Sequence, residues 1–223
     1  NENWTITISS KNYTDIFAKL TFSPVDKTDV GTQITFPDGT LTYNGAGQKY
    51  EKATTSTTAA GTPVWTYTYA PADATASLDS AGLSKTAGTY TVTAKYEDDA
   101  HIGTKNATLT ISKATPTGTP DYTKITTSGK TLKDAALTTK GSTLNPSDGK
   151  LEWVDDKGEP LPDDTTVKAN TTYKWRFTPD DDNYTTLTGE VELYHKSSSG
   201  GGWYDSYYTI KTTAGAGGSI SPS

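Results

Sequence analysis

The chain contains no cysteine and no methionine. The first absence excludes disulfides, thiolate metal sites and cysteine nucleophiles. Histidine occurs only twice, so a histidine-rich metal centre has little to draw on. No run of lysine and arginine exists, and the formal net charge is −6. A nucleic-acid binder would lose its electrostatic footprint, and an anionic lipid surface would be disfavoured for the same reason. No apolar run approaches the length of a membrane span, so no membrane insertion is expected in this segment.

What the chain does have is threonine and tyrosine. Both suit the half-buried surface of a pleated strand. With 223 residues there is room for about two domains. The apolar fraction of 32% is low for one large core and fits small β-sandwiches with much exposed surface. Long stretches of helical periodicity are missing, which argues against an α/β fold.

The organisation shows in an internal repeat. Residues 4–22, WTITISSKNYTDIFAKLTF, align without a gap to residues 175–193, WRFTPDDDNYTTLTGEVEL. Trp4 falls on Trp175, Asn12-Tyr13-Thr14 on Asn183-Tyr184-Thr185, and Leu20 on Val191. Residues 87–111 read as a third copy, with Tyr90 on Tyr173, Val92 on Trp175 and Asp98-Asp99 on Asp181-Asp182. Each copy is an alternating strand, an acidic turn and a second strand, the pattern of a β-hairpin. The copies recur at roughly the length of a small sandwich domain rather than that of a solenoid repeat.

The resulting plan has residues 1–23 as the terminal hairpin of a preceding module and 24–33 as a linker. Residues 34–113 form one complete β module and 114–196 a second. Residues 197–223 are a Ser/Gly linker and the start of another repeat. Within the second module, Lys130 to Leu137 is expected to form one or two helical turns, with Leu132, Ala136 and Leu137 on one face. Both ends are expected to be cuts within a longer protein, with targeting or anchoring signals outside this piece.

Three stretches resemble known bacterial surface modules. Leu41-Thr42-Tyr43-Asn44-Gly45, Ala87-Gly88-Thr89-Tyr90-Thr91-Val92-Thr93-Ala94 and Ala107-Thr108-Leu109-Thr110-Ile111 make residues 34–113 similar to the mucin-binding-type repeats called MBG domains. Gly129-Lys130-Thr131-Leu132, Leu151-Glu152-Trp153 and Phe177-Thr178-Pro179-Asp180 with Asn183-Tyr184 make residues 129–194 resemble a bacterial Ig-like repeat. Residues 207–223, YYTIKTTAGAGGSISPS, resemble the opening of a divergent internalin-type B repeat. The resemblance implies a Gram-positive-type surface protein with tandem modules. It implies Ig-like β-sandwiches, or β-grasp-like modules as the alternative, and it defines no ligand-contacting residue.

Candidate chemistry is sparse. His101 and His195 sit beside the terminal hairpins and are expected to be solvated surface residues. Acidic pairs and runs occur at Asp98-Asp99, Asp155-Asp156, Asp163-Asp164 and Asp180-Asp181-Asp182. None has the spacing of a calcium loop, so polar hairpin turns are expected, with Asp180 to Asp182 the best place for calcium if it binds. No phosphate-cradling loop is present, because Ala214-Gly215-Ala216-Gly217-Gly218 is not followed by a helix. Asn-x-Thr triplets at Asn3, Asn12, Asn106, Asn170 and Asn183 follow from the abundance of threonine. A Lys–Asn isopeptide bond is a further option that residue types alone do not locate.

Aromatics supply the remaining lead. Trp65, Tyr67 and Tyr69 alternate on one strand face and form either a flat sugar-binding platform or part of the core. Trp203, Tyr204, Tyr207 and Tyr208 form a second aromatic cluster. The expectation is therefore a non-catalytic stalk or adhesin segment without cofactor, extracellular and monomeric. The alternative is a carbohydrate-binding module for mucin or plant glycans, with host or dietary glycoproteins as partners.

Overall fold

A computed structural model describes residues 2–11, 13–22 and 26–197. Strand accounts for 43% of the described residues and helix for 2%, so the fold is all-β with several sheets. The opening hairpin joins β1 (Glu2–Ser10) and β2 (Tyr13–Phe22). Next come β3 (Thr28–Asp29), a 3₁₀ turn at Gly31–Gln33, β4 (Ile34–Thr35), β5 (Gly39–Thr42), β6 (Thr54–Thr55), β7 (Val64–Pro71), β8 (Gly88–Glu97) and β9 (His101–Ser112). The remaining strands are β10 (Asp121–Tyr122), β11 (Leu137–Thr138), β12 (Gly149–Val154), β13 (Thr172–Pro179) and β14 (Leu187–Glu192).

The strands from β3 to β9 build a first unit. β7, β8 and β9 are antiparallel neighbours, and β3 and β5 both pair parallel to β9. Burial alternates along β8, where Tyr90, Val92, Ala94 and Tyr96 point inward and the residues between them are half-exposed. This period of two is what the alternation of aromatic and aliphatic residues with threonine dictates. Tyr90, Val92, Leu109 and Ile111 form the centre of the core, with Phe36, Tyr50 and Tyr69 packed around them.

Residues 26–33, the described part of the expected linker 24–33, are instead tied to the first unit. Thr28 and Asp29 lie parallel to His101 and Ile102, and Val30 is only 1% exposed in a small cluster with Ile34 and Tyr96. The segment has no alternation of its own. Its conformation is imposed by β9 and the turn before it, where the backbone N–H groups of Thr28 and Val30 donate to Ala100 and Ile102.

A second core gathers residues between Ile125 and Tyr194, centred on Phe177, Leu132, Ala135, Trp153 and Trp175. Here β12, β13 and β14 form an antiparallel sheet, and β10 pairs with β11. Fully burying Phe177 contributes about 1.5 to 3 kcal/mol by removal of apolar surface from water. The expected helical turns at Lys130 to Leu137 are a single turn, with Ala135 N–H donating to the carbonyls of Thr131 and Leu132. Leu132 and Ala135 face the core and Ala136 is exposed, because the chain leaves the turn after one revolution.

The repeated hairpins differ in register. Trp4 lies opposite Leu20, whereas Trp175 lies opposite Gly189, two residues off the pairing that the sequence alignment implies. A Cβ on Gly189 would lie 2.3 Å from the Trp175 ring, so the glycine is what lets that ring lie across β14. Ala18 stands at the matching place in the first hairpin and pairs with Ile6 instead.

One device is common to both units. Tyr90 donates its hydroxyl hydrogen bond to the carbonyls of Thr86 and Ser77, and accepts one from Ser77 N–H. Tyr173 accepts from Lys168 N–H at 2.9 Å and donates to the Thr166 carbonyl. Each tyrosine opens a strand and ties it to backbone just upstream, as the tyrosine corner of immunoglobulin-type sandwiches does.

Candidate functional site

The acidic turn after β13 meets the end of the first unit through a set of side-chain, backbone and aromatic contacts. It begins with Asp181. Its Oδ1 accepts the backbone N–H of Asn183 at 2.9 Å and the Asn183 side-chain N–H at 2.6 Å. This local loop holds the carboxamide with its oxygen turned outward. That oxygen accepts the backbone N–H of Ala87, in the first unit, at 2.7 Å.

The backbone adds two more bonds. Ala114 N–H donates to the Asn183 carbonyl at 2.9 Å, and Thr185 N–H donates to the Ala114 carbonyl at 2.8 Å. Tyr43, just past β5, packs edge-on against Tyr184 with ring centroids 5.4 Å apart. Its hydroxyl points to Asp181 Oδ2. Burial, then the charges of Asp181 and Tyr184, push the Tyr43 hydroxyl above its ordinary value. A cleft of about 620 Å³ opens beside the contact, lined by Thr75, Thr86, Lys113, Asp182 and Asn183.

The histidines go separate ways. His195 is exposed and its Nδ1 lies 2.8 Å from Glu192. His101 is half-buried, contrary to the expected solvated position, and its Nδ1 lies 3.0 Å from Asp98. Asp98 is 3% exposed rather than a solvated turn residue. Its carboxylate accepts from Tyr96 Oη at 2.6 Å, Ala60 N–H at 3.0 Å, Ala100 N–H at 2.9 Å and His101 N–H at 2.7 Å. Burial pushes its pKa up, but these hydrogen bonds outweigh burial and hold it well below the usual carboxylate range. The group fastens the β8–β9 turn to the loop at Ala60, and every lone pair it offers is engaged.

The other acids also serve turns and pairs. Asp155 caps Lys157 and Glu159, and Asp156 pairs with Lys174 at 2.9 Å. Among the described residues no three histidine or acidic side chains are grouped to hold a metal ion. Lys27, Lys95, Lys150 and Lys174 engage carboxylates rather than asparagines.

Trp65, Tyr67 and Tyr69 sit on the core side of β7. Trp65 packs edge-on against Tyr96 at 5.1 Å, Tyr67 against Phe36 at 5.8 Å, and the Tyr69 hydroxyl accepts Tyr50 N–H. Trp153 and Trp175 are buried in the second core. Trp203, Tyr204, Tyr207 and Tyr208 lie outside the described residues, as do Ala214 to Gly218 and the stretch that resembles the B repeat.

No protein-family model and no curated protein matches the chain. The resemblance to MBG and bacterial Ig-like repeats therefore rests on the motifs alone, and the geometry must carry the functional reading.

Sequence reasoning picked out Asn183-Tyr184-Thr185 as a repeated turn but not as a contact. The recurrence of Asn-Tyr-Thr was the only signal available, because the partners Tyr43 and Ala87 are remote in sequence.

Proposed function

We propose that the chain is a non-catalytic structural segment of a secreted or wall-attached bacterial surface protein, a strut that holds a binding tip away from its anchor. The observation that carries this reading is the placement of the ends. Chain enters the first unit at Thr28, beside the start of β9, and leaves at Ser112, the end of β9. A strand of that length spans roughly 40 Å. The second unit begins at the far end, where Ala114 lies parallel to Tyr184, and β14 carries the chain onward.

The junction supports the same reading. Side-chain, backbone and aromatic contacts meet there and tie the end of the first unit to the acidic turn of the second. The packing of Tyr69 in the core, with half-buried Trp65 and Tyr67 against it, favours a core role over a sugar platform. MBG-type and Ig-like identity, extracellular localisation and glycoprotein partners belong to this proposal as expectations of the resemblance.

Small-angle scattering on the full chain tests it. Two units in series predict a largest dimension of about 80 Å or more. A radius of gyration near the roughly 17 Å of a compact globule of this length would contradict the strut.

A further inference from the structure

Both units tie the chain at their entrance to the chain at their exit in parallel, the first through paired strands and the second through an isolated bridge and single hydrogen bonds. In the first, β3 and β5 run parallel to β9, with Thr28 opposite His101, Asp29 opposite Ile102, and Gly39–Thr42 opposite Leu109–Ser112. Thr28 N–H donates to the Ala100 carbonyl at 2.8 Å, Val30 N–H to Ile102 at 2.9 Å and Tyr43 N–H to Ser112 at 2.9 Å. The Lys27 ammonium adds an ion pair to Glu97 at 2.7 Å.

The second unit repeats the scheme with fewer bonds. Ala114 is parallel to Tyr184, and its N–H donates to the Asn183 carbonyl as that of Thr28 does to Ala100. Farther along, where the first unit has the four-residue β5 ladder, Ile125 N–H donates to the Leu193 carbonyl at 3.0 Å.

Tension on the chain ends pulls the first and last strands of a unit in opposite directions along a shared axis. Parallel terminal strands must then slide past each other, so their ladder bonds are strained together. An antiparallel hairpin pulled from its open end parts one bond at a time. We infer that both units are shear clamps of unequal strength, and that tension opens the second while the first stays folded. The Ala114–Asn183 bond belongs both to the second clamp and to the junction. Yielding of the second unit therefore releases the junction in the same step. The first unit holds through six paired positions on β9.

This inference rests on the strut reading only for its use in the cell. A chain that proved to be a glycan binder with the same force order would refute the strut and keep the clamps. Equal forces in an extended chain would do the reverse.

Single-molecule pulling of the full chain from its ends is the test. The two units release similar lengths, so one must be marked. Ten Gly/Ser residues inserted after Lys157, in the exposed turn that follows β12, add about 36 Å to the extension released by the second unit. The added length is expected in the earlier, lower-force event. Added length in the later event, or two events at one force, overturns the inference. Leu41→Pro removes a backbone donor from β5, since proline has no N–H. It is expected to lower the force of the later event and leave the earlier one unchanged. An unaltered later event in this variant also overturns the inference, and the insertion decides by itself if L41P does not fold.

Discussion

The side-chain oxygen of Asn183 accepts the backbone N–H of Ala87 at 2.7 Å, across 96 positions of sequence. A carboxamide suits this place because it does two opposite things. Its N–H group donates to Asp181 while its oxygen accepts from the other unit. Asn183→Ala removes both bonds and leaves the cores untouched. Because the Ala114 backbone bonds and the Tyr43–Tyr184 contact remain, the expected result is a looser junction, seen as partly decoupled tumbling of the two units in NMR relaxation. Their denaturation energies should fall by no more than about 1 to 2 kcal/mol. Tumbling unchanged from the parent would show that the Asn183 side chain does not hold the junction.

Tyr90 and Tyr173 make the same prediction twice. Replacing either by Phe keeps the ring and deletes the hydroxyl that satisfies upstream backbone groups. Each variant should lose about 1 to 2 kcal/mol in chemical denaturation. Tyr90→Phe should shift only the transition of the first unit, and Tyr173→Phe only that of the second.

Asp98 predicts an acid limit for the first unit. Its folded-state carboxyl titrates below the ordinary range, so the stability it supplies is fully present above the unfolded value of about 3.9 and is lost as pH falls below it. Melting temperature measured between pH 7 and pH 2 should drop in the lower part of that range. Asp98→Asn should lower the neutral-pH melting temperature and flatten the drop. An equal acid dependence in the variant would assign the effect to other carboxylates. Glu97, held low by hydrogen bonds from Lys27 and Lys95, is the first to test.

Trp65 separates the strut from the sugar platform. Trp65→Ala should destabilise the first unit by about 2 to 3 kcal/mol, less than the cost at a fully buried site. On a glycan array the parent chain and the variant should give the same signal. Binding by the parent that disappears in the variant would favour the carbohydrate module.

Much of the sheet structure was legible because one face of each long strand is buried. The alternation in Thr89 to Tyr96 and in Tyr173 to Phe177 predicts both a strand and its inward face, and β8 and β13 have both. The short parallel strand at Thr28–Asp29 was not legible, since two polar residues carry no period and their partner lies on β9. In the sequence Asp98 looks like one more solvated turn acid. Nothing in the local sequence shows that Tyr96 and the loop at Ala60 converge on it. The two-residue register difference between the hairpins depends on the room above Gly189, which pattern matching does not weigh.

The strut requires the two β units to sit in series in one fixed relation. The absence of native cysteine allows spin labels to be placed at will. With labels at Ser80 and Lys157, both exposed, pulsed electron resonance should give one narrow distance distribution, broadened by Asn183→Ala. A broad distribution in the parent chain would contradict the account.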